Sequence, residues 1–203
     1  MPKAWDKHRS YRGREINTKK PKQRFLIVCE GERTEPNYFR GFRVPADIEV
    51  DIRRGAGMHT SVVRKAISII EEIDDDYDQV WCVFDRDKNG HNSRSFKEAL
   101  QIARLRGISV AYSNDAFELW YLLHFNYHDT AISRHEYITK LNRYLGSSYS
   151  KNSLDMYAKL EDKMDVAIRN AKRLISGYNP IDPESNDPST TIHLLVEQLR
   201  LFV

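Results

Sequence analysis

No stretch of this chain comes near 18 consecutive apolar residues, which leaves no candidate for a membrane-spanning helix. The opening residues, Met1-Pro2-Lys3 and a polar continuation, lack the apolar segment of a secretory signal, so a cytoplasmic location is expected. Cysteine is scarce. Cys29 and Cys82 are the only two, both fall inside expected strands, and neither has the spacing of a zinc site. They read as small buried hydrophobes in a reducing compartment. No serine–histidine–acid or cysteine–histidine constellation stands out, which argues against a covalent hydrolase. There is no internal repeat, so solenoids and repeat arrays are excluded.

What the chain does have is 203 residues, 40% apolar and 30% charged, enough for one α/β domain or a domain with a helical annex. The net charge of +3 conceals an uneven split: residues 1–24 carry +7 and the remainder −4. Residues 1–23 show no periodicity and read as a basic flexible arm. Such an arm on a near-neutral body suits a phosphate-rich partner, because each phosphate it neutralises releases a condensed counterion. The plain alternative is a solvated tail that only keeps the protein soluble.

Two short apolar runs organise the rest. One is Phe25-Leu26-Ile27-Val28-Cys29, followed by Glu30-Gly31-Glu32; the other is Val80-Trp81-Cys82-Val83-Phe84, followed by Asp85-Arg86-Asp87. Each reads as a buried strand of a parallel sheet that ends abruptly in acid. Ligands of such sheets sit beyond the carboxyl ends of the strands. If the two strands are neighbours, Glu30, Asp85 and Asp87 converge. Crowded carboxylates repel, and their pKa values rise unless a cation sits among them. Oxygen ligands of this kind suit Mg²⁺ or Mn²⁺.

Taken in order, a strand over 24–29 leads to a short helix over 35–42, with Thr34 as its expected cap. A strand over 47–53, a helix over 61–74, the strand over 79–84, a helix from Ser93 ended by Gly107, and a strand over 108–112 follow. Four strands alternating with helices predict a mostly parallel sheet with right-handed crossovers. The run Asp85-x-Asp87-x-Asn89-Gly90 has the look of a calcium loop, but no helix precedes it and no glutamate closes it. Residues 113–115 are expected to cap an almost wholly apolar helix over 116–125. Glu118 lies inside that helix, where a lone carboxylate costs several kcal/mol unless it is paired or binds a cation. Further helices are expected over 134–145, 154–176 and 191–202, with 177–190 as loop. On this reading residues 24–126 form the core and 127–203 a helical annex packed on it.

A strand ending in Glu30-Gly31 and a later one ending in Asp85-Arg86-Asp87 resemble the Toprim domain, the metal-binding catalytic domain of topoisomerases, bacterial primases and OLD-type nucleases. More narrowly, Cys29-Glu30-Gly31-Glu32-Arg33-Thr34-Glu35-Pro36-Asn37-Tyr38-Phe39 resembles the opening of the RloB family, found near restriction and phage-defence loci. The stretches Phe117-Glu118-Leu119-Trp120-Tyr121-Leu122-Leu123-His124-Phe125 and Asp187-Pro188-Ser189-Thr190-Thr191-Ile192-His193 are similar to later words of that family. Asp115 stands where the family pattern has proline, so the turn into the following helix is expected to differ.

The resemblance implies a Toprim-like four-stranded core, a divalent metal ion and phosphoryl transfer. Asp85 and Asp87 are then expected as metal ligands, with Glu30 as a further ligand or as general acid/base. Glu118 is a catalytic or second-metal candidate, and Glu32 stands beside it. Arg33, Arg86, Lys88 and His91 would hold phosphates and offset charge in the transition state. His193, in a family-like word, is a more remote supporting candidate. A topoisomerase would need a tyrosine nucleophile on a second large domain, for which 203 residues leave no room. The expectation is a Mg²⁺- or Mn²⁺-dependent nuclease acting on DNA or RNA, in host or phage defence, with a partner protein encoded nearby. Two alternatives stand beside it: the same site acting on a small nucleotide, and a non-catalytic nucleic-acid-binding subunit.

Overall fold

The run Phe25 to Cys29 has no exposed residue, every side chain in it being 0% accessible, so the strand it forms must be covered on both faces. The structure is a computed structural model and describes residues 23–55, 57–73, 76–86 and 93–203. Within it, β1 (Gln23–Cys29) lies between β2 (Ile48–Arg54) and β3 (Gln79–Asp85), and β4 (Ser109–Asn114) continues the sheet. These four are parallel. The basic arm expected over residues 1–23 lies outside the described residues, apart from Gln23, which begins β1.

Helices cover both faces, as an α/β layer architecture requires. Alternation along the strands sorts the side chains. Leu26, Val28, Cys82 and Phe84 face α2 (His59–Glu72) and α3 (Ser93–Leu105), which return Val62, Val63, Ala66, Phe96, Ala99 and Ala103. Phe25, Ile27, Cys29, Trp81 and Val83 face the opposite way. They join one cluster with α1 (Thr34–Phe39), α4 (Glu118–Leu123), α5 (Arg134–Leu145), α6 (Met156–Leu160), α7 (Met164–Ser176) and α8 (Ile192–Arg200). Among the described residues no helix is long and apolar enough to cross a membrane.

The structure departs from the expected architecture in three places. It has a fifth strand, β5 (Ser189–Thr190), antiparallel to β4 in register Ser113↔Thr190 and Asn114↔Ser189, where the sequence predicts loop. Two residues carry no periodicity, and their pairing comes from contacts more than 70 residues away: Ser113 Oγ and Thr190 Oγ1 lie 2.9 Å apart, and Asn114 Nδ2 donates to the Asn186 carbonyl at 2.7 Å. The expected cap at 113–115 is absent, because these residues finish β4 and turn. Helix α4 starts only at Glu118, and the Asn114–Asp115 peptide is cis. Finally, the long helix over 154–176 is broken by a 3₁₀ turn at Glu161–Lys163, which lets α6 pack on α1 while α7 packs on α4 and α8. Gly107 ends α3 in the left-handed region at φ +67°, as the sequence predicts.

Directly after α1 the chain passes so close to α6 that a Cβ on Gly41 would overlap the Tyr157 ring and its own Cβ. Tyr157 is buried and packs against Phe42, with ring centroids 4.5 Å apart and planes tilted by 53°, so neither partner can step aside. Gly41→Ala is therefore expected to destabilise the protein by about 1–3 kcal/mol, read as a lowered urea midpoint at constant slope.

Candidate active site

Register decides what meets at the carboxyl edge. Cys29 stands opposite Val83 in neighbouring parallel strands, and the Glu30 N–H continues the ladder to the Val83 carbonyl at 2.8 Å. The Asp85 backbone N–H in turn donates to Glu30 Oε2 at 3.3 Å. The two acid-ended strands are thus neighbours, as their sequence pattern predicts. A cleft of about 500 Å³ opens at this edge, and Glu30, Glu35, Asp85 and Glu118 line it together with Glu32, Arg33, His59, Phe117, Arg134, Lys151 and Asn152.

Each acid arrives by a different route. Glu35 sits in the first turn of α1, 5% exposed, and its carboxylate fills the space where a Cβ on residue 31 would be, 2.6 Å from the Glu35 Cδ. Only glycine after Glu30 permits that approach. Glu118 begins α4 and is 4% exposed; its Oε1 accepts from the Tyr149 hydroxyl at 3.0 Å and lies 3.7 Å from Lys151 Nζ. Asp85 ends β3, its Oδ2 3.7 Å from an Arg134 guanidinium nitrogen. Arg134 also donates to the Asp115 carbonyl at 3.1 Å, which anchors it at the start of α5. The His59 Nε2–H donates to the Asp85 carbonyl at 2.7 Å and fixes the end of β3 against α2.

The electrostatics follow from this crowding. Burial pushes the Asp85 carboxyl well above its ordinary range; Glu35, Glu118 and Glu30 push it further, and Arg134 opposes them. Burial likewise raises Glu35, with Glu118 adding to the effect and hydrogen bonds from backbone N–H groups opposing it. Tyr149 is raised by burial and by the neighbouring Glu118. These are carboxylates short of positive charge.

Of the residues singled out by sequence, Glu30, Glu32, Arg33, Asp85 and Glu118 line the cleft. Glu32 pairs with Arg54 at its rim. Arg86 does not line it: alternation turns this side chain towards the other face of the sheet, over the Phe96 ring at 5.7 Å and 4.0 Å from Glu184. His193 is buried on α8, outside the cleft lining, and burial lowers its pKa. Asp87, Lys88 and His91 lie outside the described residues. Glu35, His59, Arg134, Tyr149 and Lys151 are additions from the structure. For Glu35 the signal was present, since 35, 38, 39 and 42 share one helical face and the other three are aromatic.

A family model described as RloB-like protein matches residues 25–199. The chain belongs to the RloB-like family. No curated protein and no solved structure matches it. The RloB-like match runs from within β1 to within α8 and includes every acid of the cleft.

As a site for a divalent ion, the donor set is right in kind. It is all oxygen, it converges from β1, α1, β3 and α4, and its burial leaves unmet demand for positive charge. Among the described residues no three of these side chains stand close enough to grip an ion as they are placed. As they are placed, Glu118 faces Lys151 and Tyr149, Asp85 faces Arg134, and Glu30 accepts from the Asp85 N–H.

Proposed function

We propose that this chain is a Toprim-type, Mg²⁺- or Mn²⁺-dependent nuclease that cleaves phosphodiester bonds in nucleic acid. The observation that carries the reading is the convergence of Glu30, Glu35, Asp85 and Glu118 on one open cleft at the carboxyl edge of a parallel sheet, with Asp85 and Glu35 raised by burial and mutual repulsion. Glu30, Asp85 and, two positions further along the sequence, Asp87 would hold the ion, with Glu118 as a further ligand, and the ion would supply Lewis acidity to a phosphoryl oxygen. Glu35, or Glu30 where it does not ligate the ion, would carry the proton at a carboxyl oxygen, as general acid for the leaving oxygen or base for water. Arg33, at the cleft rim, faces the phosphates of the strand. RloB-like membership supports a setting in host or phage defence, in the cytoplasm and beside a partner protein. The basic arm supplies the long-range attraction to nucleic acid.

A second reading, a binding subunit without catalysis, is favoured by the same arm, whose charge of +6 over residues 1–23 needs no metal. Labelled single- and double-stranded DNA and RNA, incubated with Mg²⁺, Mn²⁺ or EDTA, separate the two. Cleavage with either ion and none in EDTA is the expected result. Retained binding with intact substrate under every condition overturns the nuclease reading in favour of the subunit.

A further inference from the structure

Two cations of the cleft are engaged with the carboxylates that the metal-dependent reading assigns to the site. Lys151 Nζ lies 3.7 Å from Glu118 Oε1, and an Arg134 guanidinium nitrogen lies 3.7 Å from Asp85 Oδ2. Both separations exceed the 2.7–2.9 Å of a charge-assisted hydrogen bond, so the pairs are held by Coulomb attraction across a gap. The Lys151 head is not locked, its side chain being 56% exposed, whereas the Arg134 guanidinium, 36% exposed, also donates to the Asp115 carbonyl at 3.1 Å and stands 3.6 Å from the Asp115 carboxylate, so it stays at the site.

Both backbones are tied. Lys151 sits in the loop over residues 146–155 between α5 and α6, and Lys151 and Asn152 of that loop line the cleft. That loop is pinned on one side by the Tyr149 N–H donating to Asn142 Oδ1 at 2.5 Å, and on the other by Asn37 Nδ2 donating to the Ser153 carbonyl at 3.4 Å. The Tyr149 hydroxyl holds it down on Glu118. Arg134 is fixed at the start of α5 behind a full capping box on Ser133. The result is one movable ammonium on a fixed post, and one anchored guanidinium, at the mouth of an acidic cleft.

We propose that Lys151 and Arg134 are the phosphate-gripping cations of this site, held back by Glu118 and Asp85 until a divalent ion takes those carboxylates. This inference rests on the metal-dependent reading. The exchange is favourable on charge and distance alone. A divalent ion at about 2.1 Å attracts a carboxylate roughly three- to fourfold more strongly than an ammonium 3.7 Å away. Once displaced, the Lys151 ammonium swings a few ångströms towards solvent, where the phosphodiester backbone must lie if it is to reach the acids, while the Arg134 guanidinium, still held on Asp115, presents to phosphate the N–H it had turned to Asp85. The cleft then binds nucleic acid only after it has bound metal. An acidic cleft without metal would repel phosphate, and pairing its cations inward withdraws the positive charge that could offset this.

Lys151→Gln separates the two roles, with Lys159→Gln, outside the cleft lining, as the equal-charge control. Binding of Mn²⁺ alone is followed by loss of the free-ion EPR signal. Binding of a fluorescein-labelled, cleavage-resistant phosphorothioate poly(dT) 20-mer is followed by anisotropy in Mn²⁺ and in EDTA. Lys151→Gln is expected to tighten Mn²⁺ binding about three- to tenfold, because a competitor is gone. It should weaken the 20-mer in Mn²⁺ by about five- to twentyfold, with a salt slope shallower by about 0.7, one phosphate contact. In EDTA the variant and wild type should bind the 20-mer alike. Tighter Mn²⁺ with an unchanged 20-mer makes Lys151 a counterion only and overturns the inference while the nuclease reading stands. Loss of both affinities points to a structural role and overturns it equally. Wild-type protein that takes up no Mn²⁺ at all removes the metal-dependent reading and this inference together.

Discussion

Asp85→Asn is expected to lower the proposed metal-dependent cleavage by about 10²–10³-fold or more, and at the same time to raise the melting temperature at pH 7. The first effect follows from losing a charged oxygen at the one position where β1, β3 and α5 all contribute to the cleft. The second follows from the direction of its pKa. A carboxyl whose folded-state pKa lies above the unfolded value is harder to ionise in the folded protein. Its contribution to stability is therefore fully present below the unfolded carboxylate value near 4, and is lost as pH rises through the higher folded value. Asparagine keeps the shape and never ionises. Removing the burden is expected to contribute on the order of 1 kcal/mol, which for a chain of this length is about 2–4 °C. Scanning calorimetry between pH 4 and 8 should show wild-type stability falling across that window and the variant falling less. Added Mn²⁺ should close the gap by stabilising wild type alone, since only it retains the full ligand set. A variant that melts lower than wild type at pH 7 would show that the Arg134 ion pair outweighs the cost of burying Asp85.

Tyr38→Ala is expected to cost about 3–5 kcal/mol, the largest loss of stability among the substitutions considered. Tyr38 is 0% exposed and its ring contacts five others: Phe39, Phe42, Phe117, Tyr121 and Tyr157, with centroids 5.3 to 5.9 Å away. Through them it joins α1, which carries Glu35, to α4, which carries Glu118, and to α6 behind the loop of Lys151. A void there loosens two of the elements that bring the acids together, α1 and α4, and with them α6. Tyr38→Phe keeps the ring and loses a hydroxyl whose partner is Met164 Sδ at 3.5 Å, a weak acceptor, so its cost should stay near 1 kcal/mol. Urea unfolding of the two variants beside wild type checks both figures. Equal losses for alanine and phenylalanine would place the energy in the hydroxyl instead of the ring cluster.

The strands and their acid ends are local matters, and the sequence alone determined them. A fully buried parallel strand must be continuously apolar, so Phe25 to Cys29 and Val80 to Phe84 announce themselves, and the carboxylates that follow are necessarily at the ligand-binding edge. Helical periodicity likewise placed α2, α3 and α5, and had the information to place Glu35 beside the core aromatics. Tertiary structure decided what no local pattern encodes. The two-residue strand at Ser189–Thr190 exists only because the β4 edge offers it partners. Arg86 points away from the cleft because β3 ends at Asp85, and alternation gives the next side chain to the opposite face. Arg134 and Lys151 look like ordinary surface cations in the sequence. They become part of the site because α5 and the loop after it pack across the carboxyl edge, and an ion pair at 3.7 Å depends on distance in space, which separation along the chain does not encode.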